Sequence, residues 1–218
     1  MSQQHRSKLP NVKTTIFTTV GNLAREHNAI DLSQGFPNFE ADQKLMDFVT
    51  SAMQDGHNQY AAMRGYYGLR EIISDKIQKL HGRRYDSEKE ITVTVGATQA
   101  IFTAITAFVH SGDEVIVLKP CYDCYEPAIE VNGGTVVPIQ LRKGDYKIDW
   151  EEFKNKITPN TRMVIINTPH NPSGRIFTKE DIVDVKFRKL YVNSPIKNIC
   201  TARSFLLFNS LREQVLRQ

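Results

Sequence analysis

The chain has 218 residues, 40% hydrophobic, 9% aromatic and 24% charged, which excludes an intrinsically disordered chain, poorer in apolar residues and less balanced in charge. No apolar run approaches the roughly 20 residues needed to cross a bilayer, and Met1-Ser-Gln-Gln-His-Arg6 lacks the basic-then-apolar order of a signal peptide, so a cytoplasmic protein with no membrane partner is expected. The net charge of +4 is uneven: residues 1–182 hold 21 Lys and Arg against 22 Asp and Glu, and residues 183–218 hold 7 against 2, so the body carries no basic footprint for nucleic acid.

In chain order, the first 40 residues have little regular pattern beyond a predicted helix at Thr15–His27 and read as an arm. A weak helix is predicted over 42–55, ahead of Gly56. Leu69, Ile72, Ile73, Ile77 and Leu80 form one apolar stripe with Gly82 just past its end, the pattern of an amphipathic helix. Four β-branched runs follow as strands: 91–95, 114–118, 135–139 and 162–166. Helices are predicted between them at Thr98–His110, Tyr122–Val131 and Asp149–Ile157, with Gly133-Gly134 closing the second. Strands alternating with helices predict an α/β fold around a largely parallel sheet. After the helix opened by Thr178-Lys-Glu-Asp181, residues 183–218 have no glycine and no clean strand or turn rhythm.

Two places could carry chemistry. At Gly96-Ala97-Thr98 a strand runs into a helix start, where free N–H groups and the helix dipole favour phosphate; the plain alternative is a Thr N-cap. At Asn167-Thr-Pro-His-Asn-Pro-Ser-Gly174 a strand ends in a loop stiffened by two prolines, which could hold an Asn amide rigidly, or be a turn. Thr98, Tyr122 and Asn171 all follow strands, so they should converge on one sheet edge, where ligands bind in open α/β folds. His170 reads as a loop side chain rather than a catalyst. Cys121 and Cys124 have the C-x-x-C spacing of redox motifs, which leaves a thiol–disulfide protein as a minor reading; with Cys200 they make three, expected reduced. No spacing points to a metal.

Ser33-Gln-Gly-Phe-Pro37, Asn58-Gln-Tyr60, Gly68-Leu-Arg70, Thr94-Val-Gly-Ala-Thr98, Tyr122-Asp-Cys-Tyr125 and Asn171-Pro-Ser-Gly174, in this order, resemble the class I/II pyridoxal-phosphate aminotransferases of fold type I, most of all the group acting on methionine, glutamine and kynurenine. The resemblance implies pyridoxal 5′-phosphate as cofactor, with Ala97 and Thr98 on its phosphate, Tyr122 stacked on its ring and Asn171 on its 3-hydroxyl. Tyr60 resembles the tyrosine that reaches the phosphate of a neighbouring subunit, implying a homodimer, and Gly35 resembles part of the substrate carboxylate pocket. The implied activity moves an amino group from a methionine-like or aromatic amino acid to a 2-oxo acid.

The pattern breaks after about Ile182. The family's pyridinium Asp, Schiff-base Lys and carboxylate-binding Arg all lie downstream of the Asn-Pro-Ser-Gly loop, and none is found here. Ser194-Pro-Ile-Lys197 has the Ser-x-x-Lys spacing, but it falls too soon after Asn171 for the intervening strands. The expected organisation is an arm and substrate loop over 1–40, part of the large cofactor domain over 41–182, and a divergent tail over 183–218 outside the fold. Such a chain is expected to be inactive alone and poorly soluble; the alternative is a non-catalytic truncated or frameshifted product that at most docks on an intact subunit.

Overall fold

A computed structural model describes residues 7–10, 12–35, 37, 39–178, 180–181, 198–203 and 206–208, the last two stretches as backbone. The chain divides into two compact units, residues 13–94 and residues 1–12 with 95–218. The boundary expected near residue 40 falls inside the first of these.

The 13–94 unit holds three helices. Helix α1 (Ile16–Glu26) starts where the Thr15 hydroxyl accepts from the Thr18 N–H at 3.3 Å, and α2 (Gln43–Gln54) where the Asp42 carboxylate accepts from the Lys44 N–H at 2.9 Å. Helix α3 (Tyr67–His81) ends at Gly82, whose φ of 71° gives the left-handed cap that the sequence predicts. The buried side of α3 is not the expected stripe. Arg70, Ser74 and Ile77 are buried, whereas Leu69, Ile72 and Leu80 are exposed. The reason is hydrogen bonding to a distant loop: Arg70 donates to the Gly65 carbonyl at 3.1 Å and to that of Ser87, and Ser74 donates to that of Tyr85. A guanidinium bonded in this way can be buried without stranding its charge. Residues 91–94 form no strand. The Val93 N–H bonds the Arg64 carbonyl.

The second unit carries the sheet. Helix α4 (Gly96–Phe108) leads to β1 (Glu114–Lys119), α5 (Tyr125–Val131), β2 (Thr135–Gln140), α6 (Trp150–Asn155) and β3 (Thr161–Asn167), followed by β4 (Asn198–Arg203) and β5 (Leu206–Phe208). The order is β2-β1-β3-β4-β5, with the first four strands parallel and β5 antiparallel. The expectation of a tail outside the fold does not hold for the nine residues of β4 and β5. A parallel sheet edge presents unpaired N–H and C=O groups, and β4 occupies that edge of β3.

Both faces of the sheet are covered, so its central strands are apolar throughout rather than alternating. Val115, Val117, Met163 and Ile165 pack with Ile101 and Ile105 of α4 and Ile129 of α5 on one face; Ile116, Leu118, Val164 and Ile166 pack with Phe153 of α6 and Phe177 on the other. Right-handed crossovers explain why α5 and α6 take opposite faces: β1 to β2 steps one way across the sheet, and β2 to β3 steps back past β1. That reversal makes the carboxyl ends of β1 and β3 a topological switch point, the place where open α/β sheets bind ligands.

Candidate functional site

The first element of the site is the start of α4. Its N-cap is Val95, which offers no side-chain acceptor, so Thr98 is the third residue of the helix rather than its cap, and the helix begins two residues before the predicted start. The Val95 N–H is taken up locally by Gln99 Oε1 at 2.6 Å. Gly96 has φ +80°, a conformation that side chains resist, and a Cβ there would meet no atom within 4 Å. An open space therefore faces the first turn, where the N–H groups of Ala97 and Thr98 lie beyond the reach of intrahelical acceptors.

The second element is the loop after β1. Tyr122 is half-buried against the α4–α5 side of the core, its ring set edge-on to Tyr125 at 6.0 Å and 78°, and its hydroxyl lies 3.3 Å from Thr98 Oγ1. Two predicted site residues 24 positions apart are thus brought together. An ion pair closes this loop: Lys119 Nζ donates to Glu126 Oε2 at 2.6 Å, binding the end of β1 to the first turn of α5. Cys121 and Cys124 flank Tyr122 as free thiols. Burial pushes Cys121 up to about 11 and Cys124 up to about 12, the opposite of what a reactive thiol needs. Cys200 lies in β4, of whose side chains nothing is described.

The third element is the loop after β3. Continuing the pairing of Val117 with Ile165, Asn167 stands level with Lys119, so both loops leave the same sheet edge. The Asn171 N–H donates to Asn167 Oδ1 at 2.6 Å, and among the described residues its exposed side-chain amide has no partner. Behind it the His170 ring is buried, with Nδ1 2.7 Å from Ser173 Oγ. Thr178 and Asp181 cap each other at the helix start predicted there: the Asp181 N–H donates to Thr178 Oγ1 at 3.1 Å and the Thr178 N–H to Asp181 Oδ2 at 2.9 Å.

Tyr60 and Gly35 belong to the 13–94 unit. The Tyr60 side chain is fully exposed, and Gly35 has open space where a Cβ would stand. Ser194 and Lys197 lie outside the described residues, as does the transition near Ile182. Among the described residues no group of His, Cys, Asp or Glu is arranged to hold a metal, and no helix is long and apolar enough to cross a membrane. His170, expected as a loop side chain, is buried, and the Lys119–Glu126 pair has no signal in the sequence.

The donor set suits a phosphorylated aromatic ring. It offers N–H groups and a hydroxyl at a helix start for the phosphate, a phenol ring beside them, and an unpartnered amide on the next loop of the same edge.

Comparison with known proteins agrees with that geometry. The family model for aminotransferase class I and II matches residues 27–192. The methionine aminotransferase of Escherichia coli strain K12 is 47% identical over 176 residues, covering 81% of this chain and 46% of that protein. Mouse kynurenine–oxoglutarate transaminase 1 is 38% identical over 177 residues, covering 73% and 41%. Among solved structures, YbdL from Escherichia coli, described with a methionine aminotransferase function, matches with TM-score 0.84 at 41% identity over 91% of this chain and 50% of that one. The N-succinyldiaminopimelate aminotransferase of Mycobacterium tuberculosis matches with TM-score 0.83 at 32% identity over 91% and 51%. The chain spans about half the length of the relatives it matches. The three loops singled out by the sheet edge all fall inside the matched span, on the parallel α/β frame these proteins share; the chain belongs to the class I and II aminotransferases, pyridoxal-phosphate enzymes of fold type I.

Proposed function

We propose that this chain carries the cofactor-holding part of a pyridoxal-phosphate aminotransferase that moves an amino group from a methionine-like or aromatic amino acid to a 2-oxo acid, acting as a homodimer in the cytoplasm. The observation that carries the reading is the 3.3 Å approach of Thr98 and Tyr122 at the edge that also presents Asn171. In this reading the Ala97 and Thr98 N–H groups and the Thr98 hydroxyl bind the phosphate, the Tyr122 ring covers the pyridine face and excludes water from it, and the Asn171 amide orients the ring through its 3-hydroxyl. Gly35 contributes backbone to the substrate carboxylate pocket. Tyr60 reaches the phosphate of a second subunit, and its full exposure favours that role. The cofactor, when bound, supplies the electron sink that lets an amino acid lose its α-proton.

The same reading holds that the chain does not transaminate alone. Proton transfer needs an amine fixed beside the cofactor, and no motif upstream of Asn171 supplies it. Ser194 and Lys197 have the spacing without the strand that should precede them. The test is to mix the full chain with pyridoxal 5′-phosphate, reduce with borohydride and map the products by mass. Reversible binding with no lysine carrying a pyridoxyl group is the expected result. Stoichiometric labelling of Lys197 overturns the inactivity, and absence of any binding overturns the cofactor reading.

A further inference from the structure

Asn171 sits at the tip of a turn whose hydrogen bonds are largely internal. The Phe177 N–H donates to Thr168 Oγ1 at 3.1 Å, and the His170 N–H to the Arg175 carbonyl and the Gly174 N–H to the His170 carbonyl, both at 2.7 Å. Ser173 Oγ accepts from the Arg175 N–H at 3.3 Å, and the Asn171 N–H reaches back to Asn167 Oδ1 at 2.6 Å. Each of these bonds begins and ends within residues 167–177, so the set shapes the turn but holds it to no neighbouring element. Phe177 is buried in the core on the α6 side, which anchors the returning chain by apolar contact, a force without direction.

The Arg175 guanidinium supplies the direction. Nη1 donates to the Asp145 carbonyl at 3.0 Å, 30 positions earlier, and Nη2 to Asp181 Oδ2 at 3.3 Å. Both acceptors are themselves fixed. Asp145 lies in the turn after β2, closed by the Arg142 N–H on the Lys147 carbonyl at 2.9 Å and by the Arg142 guanidinium on the Asp145 carboxylate. Asp181 Oδ2 also accepts from the Thr178 N–H at 2.9 Å. The Arg175 and Asp181 side chains are 17% and 16% exposed, which sets this pair apart from the solvent-screened pairs of a protein surface. The Arg175 Nε–H is nevertheless buried with no partner among the described residues. An orphaned buried donor opposes folding, and an unbranched apolar side chain would fill the same space without one. What arginine alone brings is a planar fork that sets two bonds at a fixed angle.

We propose that Arg175 is a positioning residue: its guanidinium ties the Asn171 turn to the turn after β2 and to Asp181, and so fixes where the Asn171 amide stands on the sheet edge. This rests on the cofactor reading for its purpose, though not for its geometry. Arg175 acts through the backbone, since its carbonyl holds the N–H of His170, the residue next to Asn171. Packing alone asks only for an unbranched side chain of this length, which methionine supplies. The proposal instead needs donors toward Asp145 and Asp181, which methionine lacks and lysine provides in part.

The test uses the full chain and Arg175→Met, Arg175→Lys and Asn171→Ala. A turn held only by its own bonds opens as a unit, so without ligand, hydrogen exchange at Asn171 and Gly174 should quicken about tenfold in R175M, the effect of losing a bond to a charged group. R175K, which keeps a cation for Asp181, should recover part of that loss. Unchanged exchange in R175M, or no recovery in R175K, overturns the proposal. If R175M is recovered only unfolded, Asp181→Asn takes its place, with exchange expected to quicken about threefold and unchanged exchange again overturning it. The second readout is affinity for 4′-deoxypyridoxine 5′-phosphate, which keeps ring, hydroxyl and phosphate but cannot react with amines. R175M should weaken it about tenfold in the wild-type background and not at all in N171A, since the two act through one contact. Equal losses in both backgrounds, the mark of a packing role alone, overturn the proposal. A wild-type chain that does not bind the analogue refutes the cofactor reading by itself, and the role of Arg175 as the tie of this turn is then decided by exchange.

Discussion

Gly134→Ala tests the packing of the C-terminal end of α4 against α5. The residue needs no left-handed backbone; what requires glycine is closeness. A Cβ there would stand 2.6 Å from Val109 Cγ1, 2.9 Å from Ile129 Cγ2 and 3.3 Å from the Ile129 carbonyl. Both neighbours are buried on different helices' ends, at 3% and 0% exposure, so neither has solvent to retreat into. Overpacking of this kind costs about 1–3 kcal/mol. Against it, replacing glycine restricts the unfolded chain and returns about 0.4–1 kcal/mol. The steric effect wins, leaving a net loss of about 0.5–2 kcal/mol, or a melting temperature lower by about 2–4 °C per kcal/mol for a chain of this length. Urea denaturation should show a lower midpoint with an unchanged slope. Val109→Ala removes the nearest clashing atom, so the double variant should be more stable than the sum of the single losses by about 1 kcal/mol. A G134A chain as stable as wild type, or strict additivity with V109A, refutes the argument.

Thr98→Val removes the hydroxyl beside Tyr122 and a phosphate donor, and should weaken pyridoxal 5′-phosphate binding about tenfold, since a bond to a charged group is worth more than a neutral one; a fluorescence titration with unchanged affinity counts against the site. His170 gives a pH dependence of stability. Its folded pKa is depressed by burial, so the unfolded chain binds the extra proton first, and stability is full above the unfolded value of about 6.5 and declines as pH falls toward the folded value. The H170Q variant should lose that component of the slope between pH 5 and 7 in urea melts. Cys121 and Cys124, raised to about 11 and about 12, should alkylate at pH 8 at least a hundredfold more slowly than an exposed cysteine, read by peptide mapping. Fast alkylation of either would revive a thiol role.

Strands β1, β2 and β3 were legible because burial of a parallel sheet leaves a local trace, a run of β-branched residues of the right length, and the shared edge of the loops carrying Tyr122 and Asn171 follows from strand direction; Thr98 comes within 3.3 Å of Tyr122 from a helix that no strand precedes. What failed was whatever depended on a distant partner. Residues 91–94 have strand composition but form no strand, and the Val93 N–H bonds the Arg64 carbonyl. Arg70 and Ser74 were absent from the predicted buried stripe because the carbonyls that satisfy them come from Gly65, Ser87 and Tyr85. The start of α4 was displaced because Thr98 looks like a cap, while the actual cap, Val95, has nothing to offer an N–H.

Helix α2 shows the same dependence in energetic form. Leu45, Phe48, Val49 and Met53 recur at the spacing of one helix face, yet α2 buries no residue and all four are exposed. Twelve residues is the length at which an isolated helix is marginal in water, and the Asp42 cap adds only about 1 kcal/mol. Helix α4 is one residue longer and sets Ile101 and Ile105 into the sheet core. Fully burying an apolar side chain is worth about 1.5–3 kcal/mol, so α4 is anchored by tertiary burial that α2 lacks. Amide exchange should therefore separate them: α4 amides near Ile105 slowed by orders of magnitude, those of α2 within about tenfold of an unstructured peptide. Strong protection of α2 at low protein concentration would show that the stripe is covered and refute its exposure. Protection that rises with concentration would instead identify the cover as a second copy of the chain, since only association responds to concentration in that way.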